Sequence, residues 1–322
     1  MIDVSVIIPS RVDQFLNQTI KDLLDKSETN IEIIVVLDGY WPKEIYEDKR
    51  VRYIHHATIH KNLGMRESLN RGIALAKGKY IMKIDEHCMM DQGYDKKLIE
   101  DCDIDWVVIP RRYRLIAEEW KLENDGRPPV DYMYLAYPYE RPGDKTCGLH
   151  GAEWRDRHYT RKDVLIDDTM SWQGSCYFTT KRYWDSLLAP LDTEHYGTFT
   201  QEAQEIGNKV WLSGGRLVVN KKTWYAHYHK GKRGKGYGFS NEQYKEHMAG
   251  TEKGRLYCID YWVNNKHLAD KRMKYKFEWL LEKFWPIPTW PENWREKIVE
   301  DQKNDYSLLP DKKDWYANNQ TA

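Results

Sequence analysis

Tyr80-Ile81-Met82-Lys83-Ile84-Asp85-Glu86-His87-Cys88 runs from five aromatic, branched and long side chains straight into an acidic and imidazole cluster. Such a run reads as a buried strand that delivers polar groups at its carboxyl end. In an open α/β sheet, ligands bind at that edge. Asp85 and His87 are two apart, so an extended chain sends both side chains to one side. One carboxylate oxygen and one imidazole nitrogen suit Mn²⁺ or another first-row divalent ion, and suit a structural tetrahedral zinc site poorly. The alternative is that Asp85 caps the next turn and His87 is a satisfied, half-buried histidine.

Working outward, the neighbouring segments alternate between strand and helix. Val4 to Pro9 and Ile31 to Leu37 are apolar runs that end in turn residues, Pro9-Ser10-Arg11 and Asp38-Gly39-Tyr40. Arg50 to His56 reads as a third strand. Phe15, Leu16, Ile20, Leu23 and Leu24 recur at helical spacing, as do Met65, Leu69 and Ile73 before the stop at Gly78. This alternation predicts a mostly parallel, doubly wound sheet.

Trp106 to Pro110 resumes the sheet, and periodicity then fades from Arg111 to Asp168. A stretch this long without clear elements is either a binding surface or a subdomain of small strands. Trp172 to Phe178 reads as a strand beginning at a glycine. Thr198 and Gln201 form a capping box for a helix from Phe199 to Trp211, with Glu202 and Glu205 on one face. Arg216 to Asn220 and Trp224 to His229 read as two closing strands. Beyond Phe239, two helices and the Pro- and Trp-rich turn at Trp285 to Pro291 suggest a helical cap.

Bulk properties narrow the function. Of 322 residues, 50 are Lys or Arg and 50 are Asp or Glu, so no global field draws the chain to nucleic acid or to a membrane. No apolar run approaches the roughly 20 residues that span a bilayer, and the N-terminus lacks a signal-peptide pattern. The five cysteines are scattered and have no metal-type pair spacing, which suits a reduced cytoplasmic compartment. The 14 Trp and 23 Tyr suit sugar or base stacking as well as core packing.

The order of parts resembles a nucleotide-sugar glycosyltransferase of the GT-A fold. The first half is similar to family 2 enzymes in Val-Ile-Ile-Pro-Ser at 6–10, Val-Leu-Asp-Gly at 36–39, Gly-Met-Arg with the later Asn70 and Gly72, and Ala-Lys-Gly-Lys-Tyr-Ile before the acidic motif. Asp85-Glu86-His87 departs from their usual Asp-X-Asp and resembles the Asp-X-His of polypeptide N-acetylgalactosaminyltransferases. Glu202-Ala203-Gln204-Glu205-Ile206 through Trp211-Leu212-Ser213-Gly214-Gly215 is similar to a second motif of those enzymes. Twelve residues beyond Gly215, where they place a third metal ligand, stands His227. The resemblance covers residues 3–235, and no threefold lectin repeat follows it.

The resemblance implies a Rossmann-like catalytic domain over residues 1–238, with 111–168 as an acceptor-side insertion and 230–238 as a mobile basic lid. Residues 239–322 then form a helical C-terminal extension. It implies Mn²⁺ or Mg²⁺ held by Asp85, His87 and His227, with His229 as a rival or supporting ligand, and a UDP-sugar donor. Pro9, Ser10, Arg11, Asp38 and Glu86 would surround the nucleoside and its phosphates, unless Asp38 is only a turn former. Arg66 is a candidate for phosphate or sugar contact, and Lys230 and Arg233 for contact with the diphosphate. Trp172, Gln173 and Gly174 would line the sugar pocket, unless Trp172 is plain core. Glu202 is either the base or a contact to donor sugar or acceptor. Ala203, where inverting relatives carry an Asp base, leans the reading to retention of configuration.

For the acceptor, the sequence offers a strip from Ile206 to Asn241 without one acidic residue, carrying Lys209, Arg216, Lys221, Lys222, Lys230, Lys232, Arg233 and Lys235. Interleaved with Trp224, Tyr225, Tyr228 and Tyr237, it suits a nucleic-acid backbone, and hence a hydroxymethylated base in DNA, as phage enzymes of this type modify. A polysaccharide, a lipid-linked sugar or a protein are the other acceptors. A non-catalytic sugar- or nucleic-acid-binding module is the alternative of another class. The setting expected is the cytoplasm of a bacterial or phage-infected cell, with no membrane and no protein partner evident.

Overall fold

The computed structural model describes residues 1–11, 14–56, 62–139, 148–196, 199–230 and 241–303, with only the backbone of His56 and of Gln243. β1 (Val4–Ser10) opens the sheet, α1 (Leu16–Lys26) crosses back, and β2 (Ile31–Asp38) and β3 (Val51–His56) extend it to one side. After α2 (Met65–Ala74), β4 (Tyr80–Ile84) enters on the other side of β1. The pairings of β1 with β2, β2 with β3 and β1 with β4 are all parallel. The chain therefore changes its direction of travel between β1 and β4, and a crevice opens at the carboxyl ends of strands at such a switch point. Pro9, which cannot donate to a ladder, sits past the last β1–β4 pair, Ile7 with Lys83, where only β2 remains alongside.

The chain continues through β5 (Cys88–Met90), α3 (Tyr94–Glu100), β6 (Trp106–Ile116), β7 (Lys121–Leu122), β8 (Met133–Leu135), β9 (Gly151–Glu153), α4 (Arg155–Thr160) and β10 (Ile166–Asp168). Then come β11 (Cys176–Thr180), α5 (Lys181–Tyr183), α6 (Glu202–Ser213) and β12 (Arg216–His227). Among the described residues the strand order is β10-β12-β6-β11-β4-β1-β2-β3, with β5 on β12 and β7 on β6. β11 is antiparallel to both β4 and β6, while β12 is parallel to β6. The sheet is thus parallel over its first half and mixed over its second.

Two expectations shift. The two closing strands are one strand, β12, whose register with β6 slips between Asn220 and Trp224. The strand expected from Trp172 begins only at Cys176, because Trp172 to Ser175 form the turn that brings β11 alongside β4. The stretch 111–168 does hold small strands, with β8 and β9 as a separate two-stranded sheet.

Both faces of the sheet are covered. Leu16, Ile20, Leu23 and Leu98 of α1 and α3 pack with Val4, Val6 and Ile8 on one side. Leu69, Ile73, Ile206 and Val210 of α2 and α6 pack with Ile7, Ile34 and Val36 on the other. The C-terminal helices, α7 (Asn241–Cys258), α8 (Phe277–Phe284) and α9 (Trp294–Asp301), join that second core. Phe284 meets the Trp211 ring edge-on at 5.3 Å, and Trp290 Nε1 donates to the Leu135 carbonyl at 2.7 Å. Each such buried large side chain contributes roughly 1.5–3 kcal/mol, so α8 stabilises α6, and the turn between α8 and α9 stabilises the small-strand region. No helix among the described residues is long and apolar enough to cross a membrane.

Candidate active site

The acidic motif reaches its place through a turn, not an extended strand: β4 ends at Ile84, residues 86–87 turn, and β5 starts at Cys88. β5 pairs antiparallel with the end of β12, His227 opposite Cys88, which sets His227 beside His87. Thr19 of α1 pins the turn by donating to the Glu86 carbonyl at 3.0 Å and accepting from Cys88 N at 3.1 Å. As a result His87 Nε2 lies 3.1 Å from His227 Nε2, and His227 Nε2 lies 3.2 Å from Asp85 Oδ2. One ligand atom from each of Asp85, His87 and His227 falls within 4.8 Å of the others.

These residues fit a divalent cation. Adjacent ligands about 2.1 Å from an octahedral ion sit about 3 Å apart, close to the spacing seen here. Burial pushes His227 down to about 3 against the opposing hydrogen bond that Asp85 accepts from it, so its ring is the neutral form that ligates. Burial would raise the Asp85 carboxyl, but Lys83, His227 and His87 together hold it well below the usual range, so it stays ionised. His229 stands outside this trio. It lines the same cleft, but its Nε2 is 3.0 Å from Arg112 Nη1 and 3.0 Å from Gln173 Nε2, and the cluster of ligand atoms does not include it.

Sequence reading passed over Lys83. It is 1% exposed, and its Nζ donates to Asp85 Oδ1 at 2.7 Å and to the Gly174 carbonyl at 2.6 Å, with Glu202 Oε2 at 3.4 Å. Burial works against its charge, but Asp85 and Glu202 outweigh that and hold the ammonium protonated. Burial also raises the Glu202 carboxyl, opposed by Lys83 and Arg66 and reinforced by Asp85. The available signal was a lysine inside an otherwise apolar strand, which a buried position tolerates only with anionic partners.

The other expected residues divide. Ser10 Oγ and the Arg11 N–H (3.2 Å) donate to Glu86 Oε2, and Lys230 Nζ lies 3.7 Å from Glu86 Oε1, so Pro9, Ser10, Arg11, Glu86 and Lys230 gather on one wall. Asp38 accepts from the N–H groups of Leu63 at 2.7 Å and Gly64 at 2.8 Å, which makes it the clamp on the loop entering α2. Arg66 is 5% exposed, pairs with Glu205, donates to the Asp192 carbonyl at 3.2 Å and stacks 4.3 Å from the Tyr196 ring centre. Trp172, expected in the sugar pocket, is core: it is 3% exposed and packs against Tyr177 and the α6 residue Gly207. Gln173 and Gly174 do line the cleft. Arg233, Thr198, Tyr237 and the lid beyond Lys230 lie outside the described residues.

These groups line one cleft of about 800 Å³ over the carboxyl ends of β1, β2 and β4. Glu246 and His247 of α7 complete its rim, with the His247 ring stacked 5.1 Å from Phe199. Gly174 has φ +88°, and a Cβ there would stand 3.5 Å from Glu202 Oε2. Gly174→Ala is expected to lower stability by about 1–3 kcal/mol through backbone strain and to move the carbonyl that holds Lys83. Thermal melting measures the first effect, and weaker binding of a divalent ion beside Asp85 the second.

The acid-free strip is not acid-free in space. Lys209 pairs with Glu205 at 2.7 Å, Arg216 with Asp168 at 2.7 Å and Lys222 with Asp101 at 2.8 Å, while Lys221 Nζ donates to the Arg161 carbonyl at 2.6 Å. Tyr225 and Tyr228 are 1% and 3% exposed, and the Trp224 ring meets Tyr113 edge-on. The described part of the strip therefore has its cations paired and its tyrosines in the core.

A mixed sheet with its cleft at the β1/β4 switch point, an Asp-X-His turn and a histidine returning beside it define a glycosyltransferase of the GT-A fold. The profile of glycosyl transferase family 2 matches residues 5–197, and the chain belongs to that family. A Drosophila melanogaster protein described as polypeptide N-acetylgalactosaminyltransferase 13 is 24% identical over 243 residues, 67% of this chain and 40% of that protein. Glycosyltransferase GlyG of Streptococcus pneumoniae is 28% identical over 237 residues, 70% of this chain and 64% of its own. The crystal structure of GalNAc-T7 with UDP, GalNAc and Mn²⁺ superposes with a TM-score of 0.60 at 16% identity, over 95% of this chain and 56% of that one. The chain spans less than two thirds of the length of each of these relatives.

Proposed function

We propose that this protein moves a sugar from a nucleoside-diphosphate sugar, carried on UDP, to a hydroxyl group, with Mn²⁺ or Mg²⁺ as its metal. The observation that supports this best is the meeting of Asp85, His87 and His227 in the cleft, 140 residues apart in the chain, with Glu202 tied to the same carboxylate through Lys83. UDP, GalNAc and Mn²⁺ bound to GalNAc-T7 agree with the donor and the ion. A bound divalent ion would supply Lewis acidity and a template for the departing diphosphate.

The chain's own residues do the rest. Asp85, His87 and His227 hold the ion. Glu86 fixes the end of β1, where Pro9, Ser10 and Arg11 face the nucleoside and its phosphates, and Lys230 adds a cation on that wall. Gln173 and Gly174 face the sugar, with Glu202 behind them as a contact to donor sugar or acceptor. Alanine at 203 takes no proton, which supports transfer with retention of configuration. Residues 1–238 form the catalytic unit, and α7 in the extension beyond them closes the cleft with Glu246 and His247.

The acceptor is a hydroxyl compound. The DNA reading rested on the basic strip, whose described cations have partners within the fold, so DNA is one arm of the test and not its premise. The purified chain is to be given a panel of nucleotide sugars with Mn²⁺, first alone and then with hydroxymethylated DNA, plain DNA, glycans and peptides. Slow hydrolysis of a UDP-sugar that stops with EDTA, and transfer to one acceptor class with the anomeric configuration kept by NMR, are expected. Sugar binding without any turnover would make this a binding module instead.

A further inference from the structure

We infer that Lys83 is a positioning residue of the metal site, a fixed internal ammonium that joins the metal-binding carboxylate to the sugar side of the cleft. This rests on the metal reading above. An ammonium has three N–H donors, and three oxygens surround this one: Asp85 Oδ1 at 2.7 Å, the Gly174 carbonyl at 2.6 Å and Glu202 Oε2 at 3.4 Å. They belong to three different pieces of chain: the turn after β4, the turn before β11 and the first residue of α6. With Oδ1 held by Lys83, the carboxylate plane is set so that Oδ2 faces His227. A ligating carboxylate fixed in this way is preorganised for an ion, and loss of such an outer partner typically costs 10- to 100-fold in metal affinity.

A bare electrostatic view gives the opposite sign. Lys83 is a cation next to a cation site, so removing it should tighten metal binding if charge alone mattered. Geometry and charge therefore disagree about the direction, which makes the inference testable without any turnover. Lys83 is 1% exposed at the base of the cleft, with Asp85, Gly174 and Glu202 around its ammonium, so its effect on the donor is expected to pass through those three.

The experiment is Mn²⁺ titration followed by the EPR signal of the free ion, on the whole chain, with thermal melting alongside. Lys83→Met is expected to weaken Mn²⁺ binding about 10- to 100-fold, and Glu202→Gln, which leaves Lys83 on Asp85, to change it by about threefold or less. Lys83→Met strands the buried Glu202 carboxylate, so Lys83→Met with Glu202→Gln supplies a second background that removes both charges together and is expected to bind Mn²⁺ as weakly as the single variant. Folded variants that bind Mn²⁺ as tightly as the wild type, or more tightly, overturn the inference. So does failure of both backgrounds to fold, which would make Lys83 a plain structural pair. A wild type that binds no Mn²⁺ instead defeats the metal reading itself, and the two failures are told apart by that control.

Discussion

Asp85→Asn is expected to lower Mn²⁺-dependent turnover of the nucleotide sugar by roughly three orders of magnitude, with melting close to that of the wild type. Asparagine is the informative choice because its carbonyl oxygen can still accept from Lys83, where an alanine would leave that ammonium, 1% exposed, short of a partner. What it cannot supply is the second anionic oxygen, which now stands 3.2 Å from His227 Nε2 and completes the trio with His87. The carboxylate is ionised throughout the working range, so the substitution removes a full charge and not a partial one. Turnover is to be read as release of the nucleoside diphosphate with and without Mn²⁺. Asp85→Asn protein that turns over within tenfold of wild type would remove Asp85 from the chemistry and leave the trio as a buried polar cluster.

The legible parts of this molecule are those in which neighbours along the chain are also neighbours in space. β1, β2 and β4 were read nearly to the residue because buried parallel strands are nearly continuous apolar runs, and the half-exposed edge strand β3 was read within a residue of its bounds as well. Asp85 and His87 were read because one short turn holds both. β12 was split in two because Lys221 and Lys222 interrupt its apolar pattern, yet the Lys221 Nζ finds the Arg161 carbonyl and Lys222 finds Asp101. The strands between 111 and 168 gave no periodic signal because distant aromatic partners hold them, as Trp290 holds Leu135.

Charge was the hardest property to place. A strip with no acidic residue for 36 positions reads as an open basic surface, but Glu205, Asp168 and Asp101 reach it from elsewhere. The converse held for Lys83, which was counted into the strand run without remark and is the cation between the carboxylates of Asp85 and Glu202. Trp172 and Gly174 show how little separates core from cleft. They are two apart, but the turn before β11 sends one against Gly207 and the other toward Glu202. His227 came from its spacing beyond Gly215 in the resemblance, since nothing local marks one histidine of that segment above another.

Arg66 gives the second large effect, expected to act on the fold and not on the chemistry. Family position made it a phosphate or sugar contact, but its guanidinium pairs with Glu205, which is 1% exposed, and sits 4.3 Å from the Tyr196 ring centre. Arg66→Met would leave that carboxylate buried with Lys209 at 2.7 Å and the Asp192 N–H at 3.0 Å as its remaining partners. Breaking a buried pair from one side costs about 3–5 kcal/mol, and the surviving Lys209 contact places this case at about 3. A drop of several degrees in melting temperature is the expected reading. Glu205→Met in the same chain should restore part of it, because two apolar side chains replace the buried pair, while Lys209 loses its carboxylate but keeps the Leu188 and Pro190 carbonyls at 2.9 and 3.2 Å. In that double variant the donor KM isolates whatever Arg66 does for the substrate, and a value within about tenfold of wild type is expected. A single variant as stable as the wild type, with a donor KM raised more than about 100-fold, would instead return Arg66 to the phosphates.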